Sequence, residues 1–160
     1  MMGYLLNRAD IDAYAGIEKQ HFLNEHGRRR NKSLGDLTGL KGLGFHLIEV
    51  EPGFDSTETH VHYFEEECVY VLAGTATATV GEETFEVEAG DFLGYRAGGL
   101  AHKLTATGSE TLRCLVAGQR LAHDVADYPQ KGKRLFRNGE EPWCLADIEQ
   151  LESPVAGAKD

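Results

Sequence analysis

Between Leu43 and Gly118 the chain is a succession of seven short runs rich in β-branched and aromatic residues: GFHLIEV, ETHVH, CVYVLAG, TATATV, TFEVE, DFLGY and LRCLVAG. Gly53, Gly74, Gly81-Glu82, Gly90-Asp91 and Gly98-Gly99 lie between them as turn signals. No stretch of about 10–15 residues with helical periodicity intervenes, so crossover helices and a parallel sheet are excluded. The spacing predicts an all-β, antiparallel sandwich or barrel. Glycine accounts for 19 of the 160 residues, which fits a chain of many tight turns.

The flanks have a different texture. Asn7 to Gln20 carries Ile11, Tyr14, Ala15 and Ile17 at three- and four-residue spacings, which predicts a short amphipathic helix. Arg28 to Lys32 (RRRNK), followed by Gly35, Gly39, Gly42 and Gly44, predicts a loop. Beyond Gly118 the chain is polar from His123 to Lys133. It then offers Leu135, Phe136, Trp143, Leu145, Ile148 and Leu151 as an apolar set that docks on the barrel or on a partner. The expected organisation is a short helical or irregular N-terminal extension over 1–42, one β-barrel over 43–118, and a short helical or irregular C-terminal extension over 119–160.

Charge narrows the partners. The net charge is −10, and from Glu49 to Tyr95 there are twelve acidic residues and no lysine or arginine. Such a surface repels polyanions, so nucleic acid is not the expected partner. The three cysteines, Cys68, Cys114 and Cys144, are far apart and show no metal-binding spacing, as expected of reduced, buried thiols. No apolar run approaches the roughly 18 residues of a membrane span, and the N-terminus lacks a charged and then apolar leader, so a cytoplasmic protein is expected.

His60-Val61-His62 is the most informative triplet. In a strand, residues two apart face the same way, so both imidazoles project from one side about 6–7 Å apart. If Tyr63 to Glu66 turn a hairpin, Glu67 returns beside them and offers a carboxylate. Glu65 and Glu66 are expected at the surface. Glu58, two residues before His60, shares its face and is a candidate general base, a residue that orients a histidine, or a charge at the barrel rim; His46 either faces the cavity, as a second base candidate, or is a satisfied core histidine. His21, His26 and His123 are expected at the surface.

Gly53, His60, His62, Glu67 and Gly74 together resemble the first motif of the cupin superfamily. The run Gly90-Asp91-Phe92-Leu93-Gly94-Tyr95-Arg96-Ala97-Gly98-Gly99-Leu100-Ala101-His102 resembles the second. Arg96 stands where that motif has proline, and Ala106 where it has asparagine. The resemblance implies a single cupin jelly-roll barrel in which His60, His62, Glu67 and His102 hold one divalent transition metal: Zn, Mn, Fe or Ni. Arg96, near the barrel mouth, is a candidate to bind the anionic group of a substrate.

The tail DVADYPQKGKRLFRNGEEPW is similar to that of small stand-alone cupins described as sugar-phosphate or mannose-6-phosphate isomerases. That likeness implies metal-assisted aldose–ketose isomerisation of a small phosphorylated sugar through an enediolate. An Fe(II) dioxygenase with the same ligands, and a carbohydrate-binding cupin without catalysis, are the competing expectations. Cupins commonly pair, and the apolar flanks predict a homodimer.

Overall fold

The computed structural model describes residues 3–157. Helix α1 (Arg8–Ala13) precedes strands β1 (Ile17–His21) and β2 (Asn24–Ser33) and a single helical turn α2 (Leu34–Leu37). Then come β3 (Leu43–Val50), β4 (Val61–His62), β5 (Glu67–Ala73), β6 (Thr75–Val80), β7 (Glu83–Glu88) and β8 (Phe92–Tyr95). The chain continues through β9 (His102–Thr107), β10 (Leu112–Gln119), β11 (His123–Tyr128), β12 (Lys133–Asn138) and β13 (Cys144–Asp147).

All strand pairings are antiparallel. One layer is a six-stranded sheet in the order β1-β2-β3-β10-β5-β8. The other consists of the three-stranded sheet β7-β6-β9 and the four-stranded sheet β13-β12-β11-β4. The two smaller sheets meet at a bridge between His60 and His102. This is a jelly roll whose layers face one another, without a closed barrel among the described residues. It fits the expected all-β antiparallel class.

Alternation explains the core. Val69 and Val71 of β5, Ala76 and Ala78 of β6, and Leu104 and Ala106 of β9 point inward and are buried with Ile48, Val50, Leu112 and Cys114. Their sequence neighbours Tyr70 and Leu72 face outward. Between β5 and β6 the chain passes from one layer to the other at Gly74, with φ of +77°. A Cβ at Gly74 would lie 2.9 Å from both Leu112 Cα and Thr111 O, so glycine is required there on two counts.

Several local expectations are corrected. The N-terminal helix spans only Arg8–Ala13. It is held by a reciprocal capping box between Asn7 and Asp10 and buries no residue of its own, and Gly16, at φ +76°, turns the chain into β1. Arg28–Lys32 is not a loop but the middle of β2, paired to β1 on one side and, from Arg30 on, to β3 on the other. Its polar residues hid the strand: Arg28 and Arg30 face solvent, whereas Asn31 is buried. The polar stretch after Gly118 forms β11 and β12, whose Ala126, Tyr128 and Leu135 make a small second core with Leu23. Trp143 stays 64% exposed. Cys114 is buried, but Cys144 is exposed, so the expectation of buried thiols does not hold for all three.

Candidate active site

Between the two layers lies a cavity of about 360 Å³, within the range of small-molecule sites. His60, His62, Glu67 and His102 all line it. β9 supplies His102 and the short strand β4 supplies His62, with His60 just before it. Glu67, the first residue of β5, comes back after the turn at Tyr63–Glu66.

One ligand-capable atom each from His60, Glu67 and His102 lie within 4.8 Å of one another. His102 Nε2 is 3.8 Å from Glu67 Oε1, too far for a hydrogen bond, and is buried without a partner among the described residues. His62 stands beside this trio, its ring centroid 4.9 Å from that of His60. The sequence spacing therefore brings together the four residues it singled out, three of them tightly.

Each imidazole is held from behind. His60 Nδ1 donates to the Glu58 carbonyl at 2.8 Å and His102 Nδ1 to the Leu100 carbonyl at 3.3 Å. His62 Nδ1 donates to Asp124 Oδ2 at 2.6 Å. A carbonyl can only accept, so the Nδ1 contacts of His60 and His102 put the proton there and leave Nε2 with its lone pair. This is the tautomer a metal ligand needs, and a buried Nε2 lacking any partner fits a metal better than a hydrogen-bond network.

The electrostatics agree. Burial depresses the His60 pKa to about 3, so its ring is neutral. Burial would raise Glu67, but the adjacent imidazoles of His102, His60 and His62 outweigh it and hold the carboxylate at about 2. His62 shows the opposite balance: burial lowers its pKa, yet Asp124 raises it further. Tyr95 stacks on His102 with ring centroids 3.5 Å apart, and its buried hydroxyl has no partner.

The cupin domain profile matches residues 46–118, which span both motifs. A crystal structure named "putative sugar phosphate isomerase", from Acidithiobacillus ferrooxidans, is 47% identical. The alignment covers 95% of this chain and 97% of that one, with a TM-score of 0.91. The chain belongs to the cupin superfamily. A sugar phosphate isomerase of the cupin superfamily from Silicibacter pomeroyi is 24% identical over 88% of this chain and 90% of that one. Its TM-score of 0.76 shows the shared fold. No curated protein matches the sequence.

The other candidate residues of this cupin are more dispersed. His46 lines the cavity, and its Nδ1 contacts Ser33 Oγ at 3.0 Å and Asn31 Nδ2 at 3.3 Å. The Asn31 amide can only donate, which leaves the neutral ring's proton on Nε2. Burial, Arg120 and Arg29 all lower the His46 pKa, so the ring is uncharged at neutral pH. Glu58 does not line the cavity. Its buried carboxylate accepts from the Thr59 amide and faces Lys131 at 3.6 Å, while its backbone carbonyl orients His60. Arg96 is exposed and also lies outside the lining.

Several lining residues carry no local signal in the sequence. β1 and β2 bring Lys19, His21 and Arg29 to the cavity, and β12 brings Arg137. His21, expected at the surface, is half-buried and is held at about pKa 4 by burial and by Arg29 and Lys131. Asp124, fully buried, accepts from His62, from Arg137 at 3.0 Å, and from the amides of Phe64 and Glu65. Glu65 is likewise buried rather than at the surface, with Arg137 and the Leu121 amide as its partners. Alternation within RRRNK could have flagged Arg29 and Asn31 as sharing a face, had the run been read as a strand.

Proposed function

We propose that this cupin is a metal-dependent enzyme acting on a small polar metabolite, and that its reaction is aldose–ketose isomerisation of a sugar phosphate. One observation carries the metal reading: three cavity-lining imidazoles are fixed through Nδ1, and the buried Nε2 of His102 faces Glu67 without a partner. His60, His62, Glu67 and His102 form an N₃O ligand set for one divalent transition metal. The relative from Acidithiobacillus ferrooxidans supports the substrate class through its name.

A divalent cation held there supplies Lewis-acid polarisation of a substrate carbonyl and its neighbouring hydroxyl. His46, neutral and carrying its proton on Nε2, can donate a hydrogen bond from that nitrogen to a substrate oxygen. Glu58 acts at one remove, by fixing the tautomer of His60 through its carbonyl. The unpartnered Tyr95 hydroxyl offers a hydrogen bond to a substrate oxygen. The walls of Val69, Val116 and Ile48 limit the water around the reacting carbons.

The test has two parts. Protein purified without chelator should contain about one equivalent of transition metal, and His60→Ala should lose it. In D₂O, mannose 6-phosphate should be isomerised with deuterium entering at the carbon next to the carbonyl. Absence of metal even after divalent ions are added would overturn the reading. So would iron-dependent oxygen uptake without isomerisation, which would mark a dioxygenase, or ligand binding without turnover, which would mark a binding protein.

A further inference from the structure

The strongest unexplained feature of the cavity is a pair of cations. Lys19 of β1 and Arg29 of β2 are directly opposite one another in the strand register, and both side chains line the cavity that holds the four candidate ligands. Like charges facing each other across strands are destabilising. Among the described residues neither cation has a carboxylate oxygen within 4.0 Å, whereas the other two cationic lining residues are both neutralised. Lys103 is paired with Asp55 at 3.0 Å, and Arg137 with Asp124 and Glu65.

Among the described residues the only side-chain hydrogen bond of Arg29 goes from Nη1 to the Ser56 carbonyl at 2.9 Å, which fixes the guanidinium and leaves other N–H donors open. The group is partly buried, and its desolvation disfavours the charge it carries. Lys19 sits at the exposed rim, where burial and Arg29 likewise act against its charge. Two unneutralised cations on one wall, one of them a fixed planar fork, are arranged for an anion with more than one oxygen.

We infer that Arg29 and Lys19 form the anion subsite of this cavity, and that it takes the phosphate group of a phosphorylated sugar. Arg29 binds two phosphate oxygens and Lys19 adds a point charge at the rim. The subsite deepens the isomerase reading, which supplies the sugar-phosphate class, but the anion contacts themselves do not pass through the metal. It also moves the recognition of anions from Arg96, exposed outside the lining, to the two strands β1 and β2 that precede both cupin motifs.

The experiment is calorimetric titration with mannose 6-phosphate and with mannose, on metal-loaded and chelator-treated protein, for the wild type and for Arg29→Gln, Lys19→Gln and Arg96→Ala. Charge-assisted hydrogen bonds of this kind correspond to about a 10- to 100-fold change in affinity. That loss is expected for Arg29→Gln, a smaller one for Lys19→Gln, and neither should change mannose binding. The difference between phosphorylated and plain sugar should persist without metal. Circular dichroism of each ligand-free variant separates misfolding from lost recognition, and Lys19→Gln, at an exposed position, keeps the test valid if Arg29→Gln fails to fold.

Phosphate-ester affinity unchanged in both glutamine variants, or lost in Arg96→Ala, would overturn the assignment. Metal bound but no preference for the phosphorylated sugar would overturn the subsite and leave the metal site standing. A phosphate preference sensitive to Arg29, in protein that takes up no metal, would overturn the isomerase reading and leave the subsite.

Discussion

Replacing Asp124 by Asn should disable metal binding without touching a ligand. Asp124 is fully buried, and its two oxygens have different duties. Oδ1 accepts from the amides of Phe64 and Glu65, at 3.2 and 3.4 Å, while Oδ2 accepts from His62 Nδ1 and Arg137 Nη2. An asparagine has one oxygen, and the two backbone amides can only donate, so they retain it. Its NH₂ then faces His62 Nδ1, which must become an acceptor and shift the ring proton to Nε2, the tautomer that cannot bind a metal. The same NH₂ opposes the Arg137 guanidinium, donor against donor. Loss of such an outer partner lowers metal affinity roughly 10- to 100-fold, or about 1.4–2.7 kcal/mol. Competition of metal-free protein with a chromophoric chelator for Co²⁺ or Zn²⁺ measures the change, and thermal unfolding shows whether the fold survives. A folded Asp124→Asn protein that binds either metal within twofold of the wild type would refute the tautomer argument.

Other perturbations test the frame around the site. Glu67→Ala should reduce metal affinity by more than the hundredfold upper range of an outer partner, whereas Glu65→Ala should cost about 2 kcal/mol of folding stability by stranding the buried Leu121 amide and removing one of the two carboxylates of Arg137, with metal affinity within threefold; equal metal loss would refute the register. Asp55 accepts from Thr105 at 2.6 Å, Asn24 at 3.0 Å and Lys103 at 3.0 Å, so Asp55→Ala should cost about 2 kcal/mol in urea denaturation. Burial raises the Asp55 pKa, but these bonds bring it below the ordinary 3.8; its stabilisation is therefore present above that pH and fades as pH falls further, so the gap between variant and wild type should close in acid. Gly74→Ala should cost at least about 2 kcal/mol, read as a lowered thermal midpoint, because it adds left-handed strain to a Cβ 2.9 Å from backbone.

The division between what was legible in the sequence and what was not follows the range of the interactions. Two-residue alternation places His60 and His62 on one face, and the resemblance to the two cupin motifs singles out Glu67 and His102 at the starts of β5 and β9, so the candidate ligand set is written locally. The residues that support it are not. Asp124 is 62 positions from His62, and only the pairing of β11 with β4 brings them together. Arg29 reaches the cavity because β2 pairs with β3, an assignment that hydrophobic alternation cannot make for a strand with a cavity on one face and solvent on the other. The same pairing resolves a difficulty in the charge pattern. The motif region from Glu49 to Tyr95 carries no cation, yet the proposed anionic substrate would have to approach Glu67 there. The RRRNK run supplies the missing positive charge as an inserted strand, with Arg29 inside and Arg30 outside, where it meets Glu18 at 2.7 Å and Glu49 at 3.8 Å. Adjacent residues of one basic run thus have separate duties: outside, neutralising surface acids; inside, making the cavity attractive to an anion.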